Sequence, residues 1–527
     1  MAEVIKVFGA PGTGKTSTLI NLLNEELKSS DVTLKDVIFV SFSNSAIDEV
    51  CERLNIRRGA KSAPFFRTLH GLALKVLIRE GIYTSEQIRK LQKIGFVEGV
   101  QAEFCREMGI PFDKGDHVGA SDLLGNRAFT AWSAVIGEFY SKHRDVEKCL
   151  EELYALFPEY GEIIEAWLRF KNELELFDYN DILIEFYELK PQIDAKIGFF
   201  DEVQDFNRLE FEILKEIISG LERVYLAGDD DQAIYGWKGA KPEFFLNLKG
   251  EEVILSKTYR LPSRIWEFAQ EIITQVEVRK AKKIETRRNG GVVKVFEPIT
   301  LEEITKLAVA LAKKYPNLTV FLLFRTNHMV YLAESILLEH AIPFRKLKGY
   351  SIWDKELVTA WNIIAKIRNG QNLSIDEWIF LVEHANPEII PEDYREDLIK
   401  TLKNEGSIPI ELMSAIRSVS PLVDLFKVRR KKTKELLKKA WHPISFEQIN
   451  LYIDTIHASK GKEADIIILA DAITSTIDSA IRNGFRDAEL RVFYVGVTRA
   501  RKAVFIAPLL GFKSFLEREV VTSVPSL

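Results

Sequence analysis

The sequence predicts an α/β chain with parallel sheets and mainly helical insertions, and three features carry that expectation. Short apolar runs (4–8, Val37–Val40, Ile197–Phe200) alternate with stretches of helical periodicity. The first run leads through a glycine-rich loop into a helical pattern at Leu19, Leu22 and Leu23, the strand–loop–helix order of a phosphate-binding unit. Residues 74–176 carry amphipathic patterns (Leu74, Val76, Leu77; Ile163, Ile164, Trp167, Leu168) without a chemistry-bearing motif, as an inserted subdomain would. At 527 residues the chain exceeds one core, and three or four domains are expected.

The loop after the first run reads Gly9-Ala10-Pro11-Gly12-Thr13-Gly14-Lys15-Thr16, with Ser17 next. Backbone N–H groups of such a loop and of the helix start cradle phosphate oxygens. Lys15 would neutralise β- and γ-phosphates, and the Thr16 hydroxyl would ligate Mg²⁺. Gly9, Gly12, Thr13, Gly14, Lys15, Thr16 and Ser17 are therefore the candidate nucleotide-binding set. An ordinary glycine-rich turn shows this spacing only rarely by chance.

The run Ile197–Phe200 delivers Asp201-Glu202-Val203-Gln204-Asp205. Asp201, at the strand end, is placed to hold Mg²⁺ directly or through water, and Glu202 to accept a proton from an attacking water. Alone, an acidic pair after a strand is more often a solvated turn or helix start. Beside an intact phosphate loop the catalytic reading takes precedence.

Residues 228–240 read Gly-Asp-Asp-Asp-Gln-Ala-Ile-Tyr-Gly-Trp-Lys-Gly-Ala. Gln232, both donor and acceptor, suits bridging a terminal phosphate and a water. Tyr235 and Trp237 offer π-faces on which bases stack, worth about 1–3 kcal/mol each. A nucleotide sensor beside a base platform points to ATP hydrolysis coupled to movement along a single strand.

Taken in order, DEVQD, GDDDQAIYGWKGA, KTYR at 257–260, DTIHASKGKE at 454–463 and FYVGVTRAR at 493–501 resemble the successive motifs of UvrD/Rep-type superfamily 1 helicases. The resemblance implies tandem RecA-like P-loop NTPase domains. Residues 1–73 and 177–257 would form the first, with 74–176 as its helical insert. Residues 258–370 and 446–527 would form the second, with strands near 292–296, Val320–Phe324, 453–456, 466–470 and 504–507, and 371–445 as a reduced helical insert. It also implies a DNA-stimulated ATP hydrolase using Mg²⁺, stepping 3′→5′ on single-stranded DNA and acting at single-strand/duplex junctions in repair or replication.

Residue by residue, the resemblance puts the sensor glutamine on Gln232, an adenine-stacking tyrosine on Tyr259 and a γ-phosphate arginine on Arg260. It puts the arginine finger on Arg499 and a ribose-contacting glutamate on Glu463. An arginine arriving on closure stabilises the transition state selectively, by about 10³–10⁵ in rate. On the nucleic-acid side, Phe42 would pocket a base, and Asn44, Thr68 and His70 would bind backbone phosphates. Thr326 and Asn327 would form a further phosphate site, and His457 would face DNA. Lys238 stands where the family often has arginine, keeping a charge without the bidentate fork.

Plainer readings stand beside these. Phe42 flanks an apolar strand and could be core; Arg260 or Arg499 could pair with a carboxylate such as Glu489. Trp237, among Gly236, Lys238 and Gly239, has little reason for burial.

Two departures from the family bear on function. Only eight residues precede Gly9 and none is glutamine, so no upstream adenine-reading glutamine is expected and base recognition rests on Tyr259. The 371–445 insert is short, yet Lys427, Arg429, Arg430, Lys431, Lys432, Lys434, Lys438 and Lys439 fall on one predicted helix there, either to grip duplex phosphates or as a solvated face. The reduced insert weighs against processive unwinding more than against translocation. Three readings follow: a helicase, a translocase that strips bound proteins with little unwinding, and an ATP-gated single-strand binder in a larger assembly. Intact Glu202, Gln232, Arg260 and Arg499 argue against the last.

A net charge of −5 and a pI near 6.1 require any positive field to be concentrated in a channel, giving salt-dependent backbone binding rather than sequence readout. No apolar run approaches a membrane span. Cys51, Cys105 and Cys149 are too few for a four-cysteine cluster. A reducing cytoplasm is the expected compartment, and a monomer or weak oligomer the expected state, with a protein partner for processive unwinding.

Overall fold

Six strands, β1 (Glu3–Gly9), β2 (Val37–Val40), β3 (Phe65–Arg67), β4 (Ile197–Phe200), β5 (Arg223–Gly228) and β6 (Glu251–Leu255), form one parallel sheet in the order β3-β2-β4-β5-β1-β6. Successive side chains alternate between its faces. Phe8, Ile38, Val40, Phe200 and Leu226 join a core with helices Leu69–Arg79 and Arg208–Ser219. Val7, Val37, Phe39, Phe199 and Tyr225 join another with Leu19, Leu23, Ile47 and Val50 from helices Lys15–Ser29 and Asn44–Arg53. With both faces covered, β2 and β4 are buried at every residue, which is why they read as unbroken apolar runs.

The strand order fixes where the polar loops fall. At their C-terminal ends β1, β2, β3, β4 and β5 hand over to Ala10, Ser41, Thr68, Asp201 and Asp229. All five loops therefore open along one edge of the sheet, where open α/β sheets bind ligands.

This computed structural model describes residues 2–29, 31–94, 96–112, 123–349, 351–428 and 430–516. The chain forms two compact units: Met1–Ile299 with Leu323–His328 and Thr455–Leu527, and Thr300–Leu322 with Met329–Asp454. That division is coarser than the four segments expected from the sequence and is drawn at different residues.

Within the first unit, the described residues of 74–176 are mainly helical (Ser85–Ile94, Phe96–Glu107, Leu124–His143, Val146–Leu156, Pro158–Glu173) around Phe104, Phe129 and Trp167, whose rings meet edge to face. Strand β7 (Lys257–Pro262) pairs in parallel with β8 (Glu285–Arg288), and β9 (Val292–Val295) begins a second parallel set. In the second unit, β10 (Val320–Phe324) and β11 (Leu451–Thr455) are neighbours whose last residues cross into the first unit. Asn450 ties the start of β11 to the end of helix Leu301–Lys314 and the turn after it, through the carbonyls of Ala312, Tyr315 and Leu318. In the first unit, β12 (Ala464–Asp471) and β13 (Ala500–Pro508) pair in parallel, with β9 on the far side of β13.

Several bounds differ from the sequence reading. The strand expected at 504–507 starts four residues earlier, because Arg501 and Lys502 keep their charged heads outside while their backbone stays in the sheet. The basic stretch is not one helix. Helix Lys431–Leu437 alone forms, since Phe426 is held in an antiparallel bridge to Ala385 and Arg430 is extended. Lys427 pairs with Glu392 before that helix, and Arg429 lies outside the described residues. Cys51, Cys105 and Cys149 are free, buried thiols. Burial pushes Cys105 up to about 11 and Cys149 up to about 12. Among the described residues no helix is long and apolar enough to cross a membrane.

Candidate functional site

Between β1 and helix Lys15–Ser29 the backbone turns through Gly12 at φ 76° and Gly14 at φ 85°, where a side chain is strained. The loop folds back on itself: Thr13 Oγ1 donates to the Ala10 carbonyl (2.9 Å) and Lys15 Nζ to the Gly9 carbonyl (3.0 Å). Gly9 must lack a Cβ because Thr13 Oγ1 fills that space. Strand β7 clasps the loop from the other side: Thr258 Oγ1 donates to Pro11 O (2.8 Å) and the Tyr259 amide to Gly12 O (2.9 Å). Tyr259 itself is 62% exposed beside the loop, a free aromatic face. Ser17 is exposed and accepts a hydrogen bond from Arg53 (2.7 Å).

The Thr16 hydroxyl donates to Asp201 Oδ2 at 2.6 Å, bringing the phosphate loop and the end of β4 together. Burial, and then Glu202, push the Asp201 carboxyl up to about 6. Glu202 sits at φ 58°, an uncommon conformation for a side-chain-bearing residue. Burial works against its ionisation, but Lys460 and then Lys15 hold the carboxyl below its usual range. A hydroxyl and a carboxylate are hard oxygen donors, and Mg²⁺ takes one or two such protein ligands plus phosphate oxygens and water. The pair fits that ion. No cluster of three His, Cys, Asp or Glu suited to a metal occurs among the described residues.

From β5 the site continues as one hydrogen-bonded chain. Gln204 donates to Glu202 (2.5 Å) and accepts from the Asp229 amide (2.9 Å), linking the ends of β4 and β5. Gln232 Nε2 donates to Asp229 Oδ2 (2.7 Å), and Arg499 Nη2 donates to Gln232 Oε1 (2.8 Å). Arg499 also donates to Val495 O (3.0 Å). It is buried, and burial, then Arg260, bring its guanidinium down to about 9. Arg260 and Arg501 both pair with Glu463, holding that carboxyl low despite its burial. Glu489 engages neither Arg260 nor Arg499; it accepts from Nε and Nη2 of Arg325 (2.7 and 2.6 Å).

The aromatics beyond Gln232 are arranged differently from the expectation. Tyr235 is buried, with Phe42 stacked on it (4.8 Å between centroids) and the Lys460 ammonium 5.2 Å over the ring. The ring is thus engaged within the protein by Phe42 and Lys460. Phe42 and Trp237 remain half-buried, and the Trp237 ring meets Tyr235 edge-on at 6.2 Å. Lys238 lies over Phe42 (5.4 Å) and pairs with Glu210 at 3.3 Å.

Asn44 is exposed and accepts from Arg58 (2.7 Å). Thr68 caps helix Leu69–Arg79 by accepting from the Gly71 amide (3.2 Å). His70 packs edge-on against Tyr179 (5.6 Å), and burial, then Lys238, push its imidazole down to about 4. A neutral imidazole gives any phosphate a hydrogen bond rather than a charge. Thr326 is buried and Asn327 opens helix Asn327–Glu339. His457 is also buried, 6.4 Å from the Tyr235 ring.

Sequence reasoning assigns no role to Lys460, which bridges Asp205 (2.5 Å) and the Gln232 carbonyl (2.7 Å). It stands inside the 454–463 motif as one of two lysines there, and a cation between Ser459 and Gly461 is the available signal. Gln204 was equally visible inside DEVQD.

Residues 1–252 match the UvrD/REP helicase N-terminal domain, and residues 450–507 match the UvrD-like helicase C-terminal domain. The chain is similar to a probable DNA helicase II homolog of Mycoplasma capricolum subsp. capricolum, 24% identical over 419 residues (72% of this chain, 55% of that protein). It is similar to the ATP-dependent DNA helicase PcrA of Staphylococcus epidermidis, 21% identical over 406 residues (70% and 52%). The same enzyme of Staphylococcus aureus (strain Mu50) is 23% identical over 396 residues (70% and 52%). The chain thus spans about half the length of these relatives. The two domain matches together cover more than half of the chain and include the phosphate loop, the acidic pair, Gln232, Glu463 and Arg499. On those matches the chain belongs to the UvrD/Rep helicase family.

Proposed function

We propose that the chain is an ATP-driven motor that steps 3′→5′ along single-stranded DNA and opens duplex at single-strand/duplex junctions. One observation carries this reading. Gln232 is hydrogen-bonded to Asp229 and Arg499 in the nucleotide site, and three residues later Tyr235 anchors the Phe42 and Trp237 rings. A change in the nucleotide site therefore has a path of a few residues to the aromatic cluster.

The phosphate loop binds ATP, with Tyr259 stacking on the base. Thr16 and Asp201 are the residues that would hold Mg²⁺, which would supply neutralisation of phosphate charge. Glu202, kept ionised by Lys460 and Lys15, accepts the proton of the attacking water. Arg260 and Arg499 stabilise charge on the equatorial phosphate oxygens, with Glu463 releasing Arg260 to contact the ribose. Phe42 and Trp237 engage bases; Asn44, Thr68, His70, Lys238, Thr326, Asn327 and His457 form the backbone track, His457 after a local opening. The working domains are 1–73 with 177–257 and 258–370 with 446–527, carrying inserts 74–176 and 371–445. The relatives' names as ATP-dependent DNA helicases support the activity. Three free thiols support a reducing cytoplasm. The protein acts as a monomer or weak oligomer, with a protein partner for processive unwinding.

The short helices of 371–445, none beyond 11 residues among the described residues, favour protein displacement with little unwinding as the second reading. Strand displacement on 3′- and 5′-tailed duplexes, with ATP and then GTP, separates the two. Unwinding of only the 3′-tailed substrate is expected. Directional stepping without strand separation selects the second reading. Hydrolysis indifferent to single-stranded DNA, in a preparation where Lys15→Ala abolishes turnover, overturns both.

A further inference from the structure

Three consecutive carboxylates, Asp229, Asp230 and Asp231, are buried at the end of β5 just before Gln232. Three buried anions in a row are untenable without cations, because each loses its hydration and repels the next. Their partners come from some fifty residues away. The Lys282 ammonium, with a 2% exposed side chain, reaches Asp230 (2.5 Å), Asp229 (3.0 Å) and Asp231 (3.1 Å) at once. Arg279 takes Asp231 with two parallel bonds, Nε to Oδ1 and Nη2 to Oδ2, each 2.8 Å. The Lys280 amide donates to Asp230 Oδ2 (2.6 Å). Arg491 joins the two segments, donating to Asp230 O (3.0 Å) and Val278 O (2.6 Å).

Asp229 makes this cluster more than a structural staple. Its Oδ1 lies against Lys282 while its Oδ2 accepts from Gln232 Nε2, so the carboxylate is fixed from both ends. Gln232 is thereby fixed as well. Asp229 only accepts, and the Arg499 guanidinium only donates. The amide must turn Nε2 to Asp229 and Oε1 to Arg499; the flipped amide would face donor to donor and acceptor to acceptor.

We propose that Lys282, steadied by Arg279, is a positioning residue for nucleotide hydrolysis: it acts through Asp229 to orient the Gln232 amide toward Arg499. The proposal deepens the ATPase reading above and rests on it. Lys282 touches no substrate in this scheme. Its effect belongs to the transition state, where a pre-oriented dipole needs no reorganisation.

The test uses the full chain, with single-strand-stimulated ATP turnover measured for wild type, Lys282→Met, Gln232→Ala and the double variant. Lys282→Met is expected to lower kcat by about tenfold or more while the KM for ATP moves less than about threefold. In the Gln232→Ala background the same change should lower kcat by less than about twofold, since the group it orients is gone. A second variant covers loss of folding. Lys282→Met with Asp230→Asn removes one charge of each sign, and it should melt near wild type yet keep the low kcat. Equal loss with and without Gln232, wild-type turnover in the folded charge-balanced variant, or failure of both variants to fold would each assign Lys282 to the fold alone and overturn the proposal. A wild-type chain with no stimulated turnover would instead sink the ATPase reading itself.

Discussion

Arg499 Nη2 donates to Gln232 Oε1 across 2.8 Å, and the same glutamine donates to Asp229 at 2.7 Å. Residues 267 positions apart in sequence thus share one buried bond. Removing the guanidinium should act on chemistry more than on binding. Arg499→Ala is expected to lower turnover by about 10³ with a change in nucleotide affinity below about tenfold. Arg499→Lys should recover little, because an ammonium lacks the planar fork that spans Val495 O and Gln232. Steady-state kinetics beside equilibrium nucleotide titration decide the matter; a large affinity loss with normal turnover contradicts the assignment.

Trp237 and Tyr235 should behave oppositely, although they lie two residues apart. Trp237→Ala is expected to leave the melting temperature nearly unchanged while stepping slows more than DNA-free hydrolysis. Tyr235→Ala removes a buried ring that Phe42 stacks on and Lys460 contacts, and should cost about 3–5 kcal/mol of stability. Denaturant unfolding and a translocation assay on both variants test the contrast. A destabilised Trp237→Ala would mark that ring as core.

Gly12 has φ 76°, and an added Cβ would run into Arg260 and lie 2.9 Å from Thr258 Oγ1. Gly12→Ala should therefore cost about 1–2 kcal/mol from the backbone alone and push β7 off the phosphate loop. Nucleotide affinity is expected to fall with stability, whereas a variant binding ATP normally would show that β7 does not shape the loop.

His70 sets a pH dependence. Its folded imidazole titrates near 4 against an ordinary value of 6.5. Between those values the unfolded chain binds the extra proton, so stability is lost as pH falls from about 6.5 toward 4. His70→Gln should show a smaller drop in urea midpoint between pH 7.5 and pH 5 than wild type. An equal drop in both proteins would remove His70 from the titration.

Much of the fold was legible because covered strands announce themselves. Val37–Val40 and Ile197–Phe200 have the bounds their apolar runs imply, since no side chain there meets water. The loops after β1, β2 and β4 could be read for the same reason, whereas β3 and β5, which carry Thr68 and Asp229, were not read as strands. Long-range pairing was not legible. Nothing local to Tyr235 says that Phe42 covers it, and nothing near Lys282 says that it meets three aspartates fifty residues away. The basic stretch misled because charge count says nothing about backbone, and the bridge between Phe426 and Ala385 decides it.

The burial of Cys51, Cys105 and Cys149 has a practical consequence. Thiols this shielded, with protons this tightly held, react poorly with maleimides near neutral pH. A single cysteine placed at exposed Asp194, just before β4 and on the rim away from the loops, would accept a dye without stripping out the native sulfurs. The chain is thus ready for single-molecule fluorescence almost as it stands.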